Sequence, residues 1–134
     1  MQQYLFQFVE KSQSHLNVTL KGEAYTYQSS KQGVYIVQTN TVNGKTHWNI
    51  ENGKFALWYV AKGTLAWSKW IIGEKRNVGT SSGSIASPDD VAHPQEVTTW
   101  KYFDGKNWLS HPGDVTITCI TNSKNFISIM MKII

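Results

Sequence analysis

Apolar and polar residues alternate along most of this chain with a period of two. The cleanest example is Leu16, Val18 and Leu20 set against Asn17, Thr19 and Lys21, the signature of a half-buried β-strand. Residues 3–9 place Tyr4, Phe6 and Phe8 on one side, although Leu5 and Val9 add a competing helical spacing. Further strands are expected at Val34–Val37, Thr46–Ile50, Phe55–Val60, Leu65–Ile72, Val97–Phe103 and Trp108–Leu109. A terminal pair is expected at Val115–Thr121 and Phe126–Ile134, joined by Asn122-Ser123-Lys124-Asn125.

The punctuation between these runs is as informative as the runs. Asn43-Gly44-Lys45, Asn52-Gly53-Lys54 and Asp104-Gly105-Lys106 each separate two segments rich in aromatic and β-branched residues. Asn-Gly and Asp-Gly accept the positive φ that a type I′ turn needs, and the twist of that turn matches paired strands. The pattern predicts an all-β fold: one antiparallel sandwich or barrel, residues 1–134, built on short hairpins with at most one or two helical turns.

Residues 73–96 break the rhythm. Gly73, Gly79 and Gly83, a hydroxyl cluster from Thr80 to Ser84 and two prolines read as one long irregular connection, anchored by Val78, Ile85 and Val91. Ser87-Pro88-Asp89-Asp90 reads as a turn or a single turn of helix.

A chain of 134 residues is long enough to bury a core without disulfides, and its single cysteine, Cys119, allows none internally. Alternation puts Cys119 on the face of Val115 and Ile117, as core filler. Charged residues are only 16%, below the usual quarter, which suggests that some surface is meant to be covered. The net charge of +4 comes from twelve scattered lysines and one arginine, Arg76. Nucleic acid is therefore disfavoured as a partner, because its binders cluster cations and use arginine forks. No apolar stretch approaches a bilayer span, and the first residues lack a signal-peptide pattern. The default expectation is cytoplasmic, with secretion without a visible leader left open.

A string of residues carries a resemblance. It runs Gly33-Val34-Tyr35, Val42-Asn43-Gly44, Trp48, Ala56-Leu57-Trp58-Tyr59 and Trp70-Ile71-Ile72-Gly73, then through Pro94 to Trp100-Lys101-Tyr102 and Trp108. It resembles an uncharacterised small β-rich module of invertebrate and protist multidomain proteins, over about residues 33–108. The resemblance implies a portable domain and brings no function or catalytic residue with it. The hairpin Trp100–Trp108 is also similar to part of the WWE domains, which bind ADP-ribose-type ligands, but the rest of the chain does not follow that pattern.

The candidate chemistry is aromatic. Trp67, Trp70, Trp100, Tyr102 and Trp108 could form a stacking platform, since six tryptophans exceed what a core of this size needs; the alternative is that each is core. Lys75 and Arg76 lie in the Gly- and Ser-rich stretch, where backbone amides could cradle an anion, although the order of a phosphate loop is absent. Asp89, Asp90 and Glu96 lack calcium-loop spacing, and His15, His47, His93 and His111 lack zinc spacing, so no metal or cofactor is expected. No nucleophile elbow, HExxH or paired-carboxylate motif appears, and no catalytic residue is assigned. The expected function is a non-enzymatic module that recognises a protein or carbohydrate partner through exposed aromatics and the 73–96 loop. The alternative is a structural subunit that self-assembles or packs through its terminal strands, and an enzyme with a non-local site ranks below both.

Overall fold

The computed structural model describes residues 13–120. Nine strands form a single antiparallel sheet: β1 (Leu16–Leu20), β2 (Gly33–Val42), β3 (Lys45–Ile50), β4 (Phe55–Tyr59), β5 (Trp70–Glu74), β6 (Ile85–Ser87), β7 (Lys101–Phe103), β8 (Trp108–Leu109) and β9 (Val115–Cys119). Strands β1 to β8 lie side by side in chain order, and β9 pairs with the free side of β1, from Leu16↔Cys119 to Leu20↔Val115. The fold is all-β, as the alternation predicts, and the sheet is curled into a half-barrel.

The curl is forced by chain length. Nine strands laid flat would put their two edges about 38 Å apart at the usual inter-strand spacing. The connection from Leu109 to Val115 has six peptide steps and spans about 21 Å when fully extended. It runs from one edge strand, β8, to the other, β9, so the sheet must roll up until its edges approach. A side chain crosses the gap: the Tyr102 hydroxyl on β7 donates to Asp114 Oδ2, just before β9, at 3.0 Å, and the Asp114 carbonyl accepts the Lys21 amide from the end of β1 at 2.8 Å.

The concave side holds the main core, including Leu16, Val18, Tyr35, Trp48, Leu57, Tyr59, Trp70, Ile72 and Tyr102. A second cluster, Ala56, Trp58, Val60, Ile71 and Ala86, lies on the opposite face of β4, β5 and β6. Both faces of β4 and β5 are thus covered, and Ala56–Tyr59 and Trp70–Gly73 are continuously buried instead of alternating. Three buried indoles fasten irregular segments to this body. Trp48 Nε1 donates to the Ser14 carbonyl, Trp58 Nε1 to Thr80 and Trp70 Nε1 to Val91, at 2.8–2.9 Å.

The turns divide. At Asn43 and Gly44, φ is 52° and 82°, so the β2–β3 hairpin has the type I′ turn its sequence demands. The other two signatures sit in four-residue connections. Asn52 alone takes positive φ in the second, while in the third Gly105 does so and the Asp104 carboxylate accepts the Lys106 and Asn107 amides at 2.7 Å.

Several expectations are corrected. The 73–96 stretch is not one loop: β5 continues to Glu74, and Ile85–Ser87 forms β6, a fully buried interior strand. Three residues are too few to show alternation, and flanking serines and Pro88 disguise them. No helical turn forms at residues 87–90; a 3-10 turn lies at Pro94–Glu96 instead. The strand expected from Leu65 begins only at Trp70. The one expected from Val97 begins at Lys101, because the Thr98 and Thr99 amides are taken by the Asp89 carboxylate. The sequence reading assigned nothing to residues 22–27, where α1 (Gly22–Gln28) forms and continues into a 3-10 turn, Ser29–Lys31. Only Ala24 and Gln28 of α1 are buried, so it has almost no apolar stripe. Gln28 bridges two strand ends, donating to the Phe103 carbonyl and accepting from Ser84 Oγ. Cys119 is exposed at the end of edge strand β9, where Ile117 is the only fully covered residue, and is not core filler. The segments expected as strands at residues 3–9 and 126–134 lie outside the described residues. Among the described residues, no helix is long and apolar enough to cross a membrane.

Gly73 and Gly44 separate two reasons for glycine. A Cβ on Gly73 would lie 2.6 Å from the Ser82 carbonyl oxygen and 2.9 Å from Trp58 Cη2, whereas one on Gly44 would meet nothing within 4 Å. Gly73→Ala is expected to cost about 2–3 kcal/mol through overpacking. Gly44→Ala is expected to cost about 1 kcal/mol through left-handed backbone strain alone. Urea unfolding of the two variants checks the order.

Candidate functional site

Of the five aromatic candidates, the structure buries three. Trp70, Trp100 and Tyr102 are 1%, 6% and 0% exposed and belong to the concave core, so they form no platform. The cause is strand parity: Tyr102 points inward, opposite Leu109, which turns its neighbours Lys101 and Phe103 outward. Trp67 and Trp108 remain, 44% and 36% exposed.

These two meet. Trp108 lies opposite Phe103 across the β7–β8 hairpin, their ring centroids 5.6 Å apart. Trp67, on the connection between β4 and β5, packs against Trp108 at 5.1 Å with the ring planes at 83°. Lys101 Nζ stands 5.4 Å from the Trp67 centroid, within range of a cation–π contact. The result is a right-angled aromatic corner beside an edge strand, with an ammonium group at its side. Leu65, on the same connection as Trp67, is fully exposed.

Lys75 and Arg76 lie elsewhere, on an exposed 3-10 turn (Lys75–Asn77) that follows β5, and Arg76 Nε forms an ion pair with Glu74. Close by is an open cleft of about 250 Å³ between Lys31, Phe55, Glu74, Asn77 and Ser84. Lys31 Nζ sits 4.4 Å from the Phe55 centroid, and burial lowers its pKa, with Glu74 acting in the opposite sense. A smaller cleft of about 80 Å³ lies between Thr98–Trp100 and Ser110–Gly113.

The titratable groups elsewhere serve the fold. Tyr59 donates its hydroxyl to Asp90, and burial together with that carboxylate pushes its pKa up to about 12. Tyr102 is pushed up to about 12 by burial and by its bond to Asp114 at 3.0 Å, and its hydroxyl also lies 2.7 Å from His111 Nδ1. His15 Nδ1 accepts the Val37 amide, and His47 Nδ1 lies 3.1 Å from the Asn40 carbonyl. Among the described residues, no group of three His, Cys, Asp or Glu side chains could hold a metal ion.

Sequence reasoning singled out Trp67 and Trp108 but missed Lys101 and Phe103, the other two members of the corner. Strand parity could have found them, since it places Lys101 and Phe103 together on the face away from Trp100 and Tyr102. Comparison with known proteins gives no match: no family model, no curated protein and no solved structure is significantly similar to this chain.

Asp89 supplies a pH test of the segment that leads into β7. Burial raises its pKa, but the Thr98 and Thr99 amides and the Thr98 hydroxyl, all held by one carboxylate oxygen, outweigh that and leave it below 3.8. A carboxyl depressed in the folded state contributes stability at pH above its unfolded value and loses it as pH falls through the folded one. Stability is therefore expected to drop below about pH 4, and Asp89→Asn to be less stable at pH 7 with a shallower acid decline. Urea midpoints measured from pH 7 down to pH 2.5 check both.

Proposed function

We propose that this domain is a non-enzymatic binding module whose contact surface is the corner formed by Trp67 and Trp108, and that its partner is a protein or a glycan. The observation that carries the reading is that two large aromatic residues are held exposed and in contact with each other, while Trp48, Trp58, Trp70 and Trp100 are buried. Exposed tryptophan is costly for solubility, and aromatic rings beside a cation are the groups that dominate binding energy when a partner covers them. The corner sits on two connected but differently built supports, a sheet-edge hairpin and a surface segment. Phe103 behind Trp108 and Lys101 beside Trp67 hold the rings without covering them.

The 73–96 stretch takes a smaller part in this reading than its composition suggests. Much of it is framework: β6 is internal, and Thr80 and Val91 are tied to buried indoles.

Trp67→Ala and Trp108→Ala test the reading. Each is expected to keep the far-ultraviolet circular dichroism and to cost about 1–3 kcal/mol of stability, because more than half of each ring is covered by its neighbours. Each is expected to weaken partner binding at least tenfold, as loss of about 1.4 kcal/mol or more at a hot spot does. The readout is the emission of the exposed tryptophans during titration with immobilised-library hits, both peptides and oligosaccharides. Binding that survives both substitutions would refute the assignment.

A further inference from the structure

Resting on that reading, we infer that the partner is an extended peptide segment, acidic on the side that faces Lys101, which adds as a strand along the open edge of β8 and lays an apolar side chain into the Trp67–Trp108 corner.

The first support is the direction of the backbone groups. The Asp104 amide donates to the Asn107 carbonyl at 3.0 Å, so residues 104 and 107 are a hydrogen-bonded pair. Pairs in an antiparallel ladder alternate, which makes Phe103↔Trp108 the non-hydrogen-bonded kind and Tyr102↔Leu109 the hydrogen-bonded kind. The Phe103 amide accordingly donates the other way, to the Ser84 carbonyl at 2.9 Å. By the same alternation, the N–H and C=O of Trp108 point away from β7, along the edge of the sheet. Among the described residues β8 is the last strand in the sheet order, and no other described strand pairs with these groups beside the Trp108 ring. A strand added there gains main-chain bonds and the aromatic contact together, the usual economy of β-augmentation.

The second support is the shape of the corner. Two rings in edge-to-face contact at 83° make a right-angled corner, not a flat floor. A run of sugar rings stacks best on a flat array of aromatic faces, and one face of Trp67 already has Lys101 near it. Such a corner offers two ring faces at right angles to a single aliphatic or aromatic side chain, the kind of anchor that dominates peptide complexes.

The third support is charge. The two segments that build the corner, residues 61–69 and 100–109, carry Lys62, Lys69, Lys101 and Lys106 against one acid, Asp104. That carboxylate is engaged by its own turn, accepting the Lys106 and Asn107 amides. Among the described residues, Lys101 has no carboxylate within ion-pairing distance. An acidic side chain on the incoming strand would complement this field and speed encounter.

The test is a random peptide display screen against the whole chain, run beside an oligosaccharide array. The proposal expects recovered peptides to alternate apolar residues with Asp or Glu and to bind at least tenfold more weakly to Trp108→Ala. Lys101→Glu is expected to invert the charge preference, with Lys101→Gln intermediate and thermal melting confirming that both remain folded. N-methylation at alternate peptide positions gives the decisive readout, because only residues whose N–H faces β8 should matter. One phase of methylation is expected to abolish binding and the other to leave it within about threefold. Equal tolerance of both phases overturns strand addition. An oligosaccharide that binds through Trp67 and Trp108 while no peptide does overturns the peptide assignment and leaves the binding reading standing. If neither library perturbs tryptophan emission, both fall.

Discussion

A short connection between opposite edges of one sheet governs this molecule. Because residues 110–114 must carry the chain from β8 to β9, the nine-stranded sheet cannot lie flat. Rolling it up creates the concave space that Trp48, Tyr59, Trp70 and Tyr102 fill. It also brings Asp114 beside Gly22, so that α1 begins where the sheet closes and ends at Gln28, which ties β6 to β7. The helix is thus a plug dictated by the curl, in a segment whose own composition argues weakly for any element.

Tryptophan does two different jobs here. Trp48, Trp58 and Trp70 combine large buried area with one N–H that must find an acceptor, and in each case the acceptor is a carbonyl of an irregular segment. The need to satisfy that donor specifies where the surrounding loops run. Trp67 and Trp108 have no such obligation to the interior, and the exposure they keep is what distinguishes them chemically. The composition shows a surplus of the residue, and only the contacts reveal how it is divided.

What the sequence made legible follows the range of the determining interactions. Leu16–Leu20 and Asn43-Gly44 are local: alternation over five residues, or two positive φ angles, is enough to define them. Parity is local too: residues 100 and 102, two apart, share a face, and both lie in the concave core. Which face turns inward is not local, because that depends on neighbours β6 and β8. Ile85–Ser87 is a strand only because β5 and β7 flank it. Trp67 and Trp70, three residues apart, have opposite fates because the β4–β5 register begins at Tyr59↔Trp70 and excludes what precedes it. Cys119 shares the face of Ile117, yet an edge strand does not guarantee cover along its whole length.

The pairing of β1 with β9 bears on how the chain reaches this form. Every neighbour from β1 to β8 is adjacent in sequence, so those contacts can assemble in order, each closing a modest loop. Leu16↔Cys119 joins residues about a hundred positions apart, and such a contact carries the largest entropic cost of closure in the domain. The pairing of β1 with β9 is therefore the step that contact separation makes slowest to close. With five registered pairs it is nonetheless a longer ladder than β6–β7 or β7–β8, so the junction most costly to close is well fastened once made.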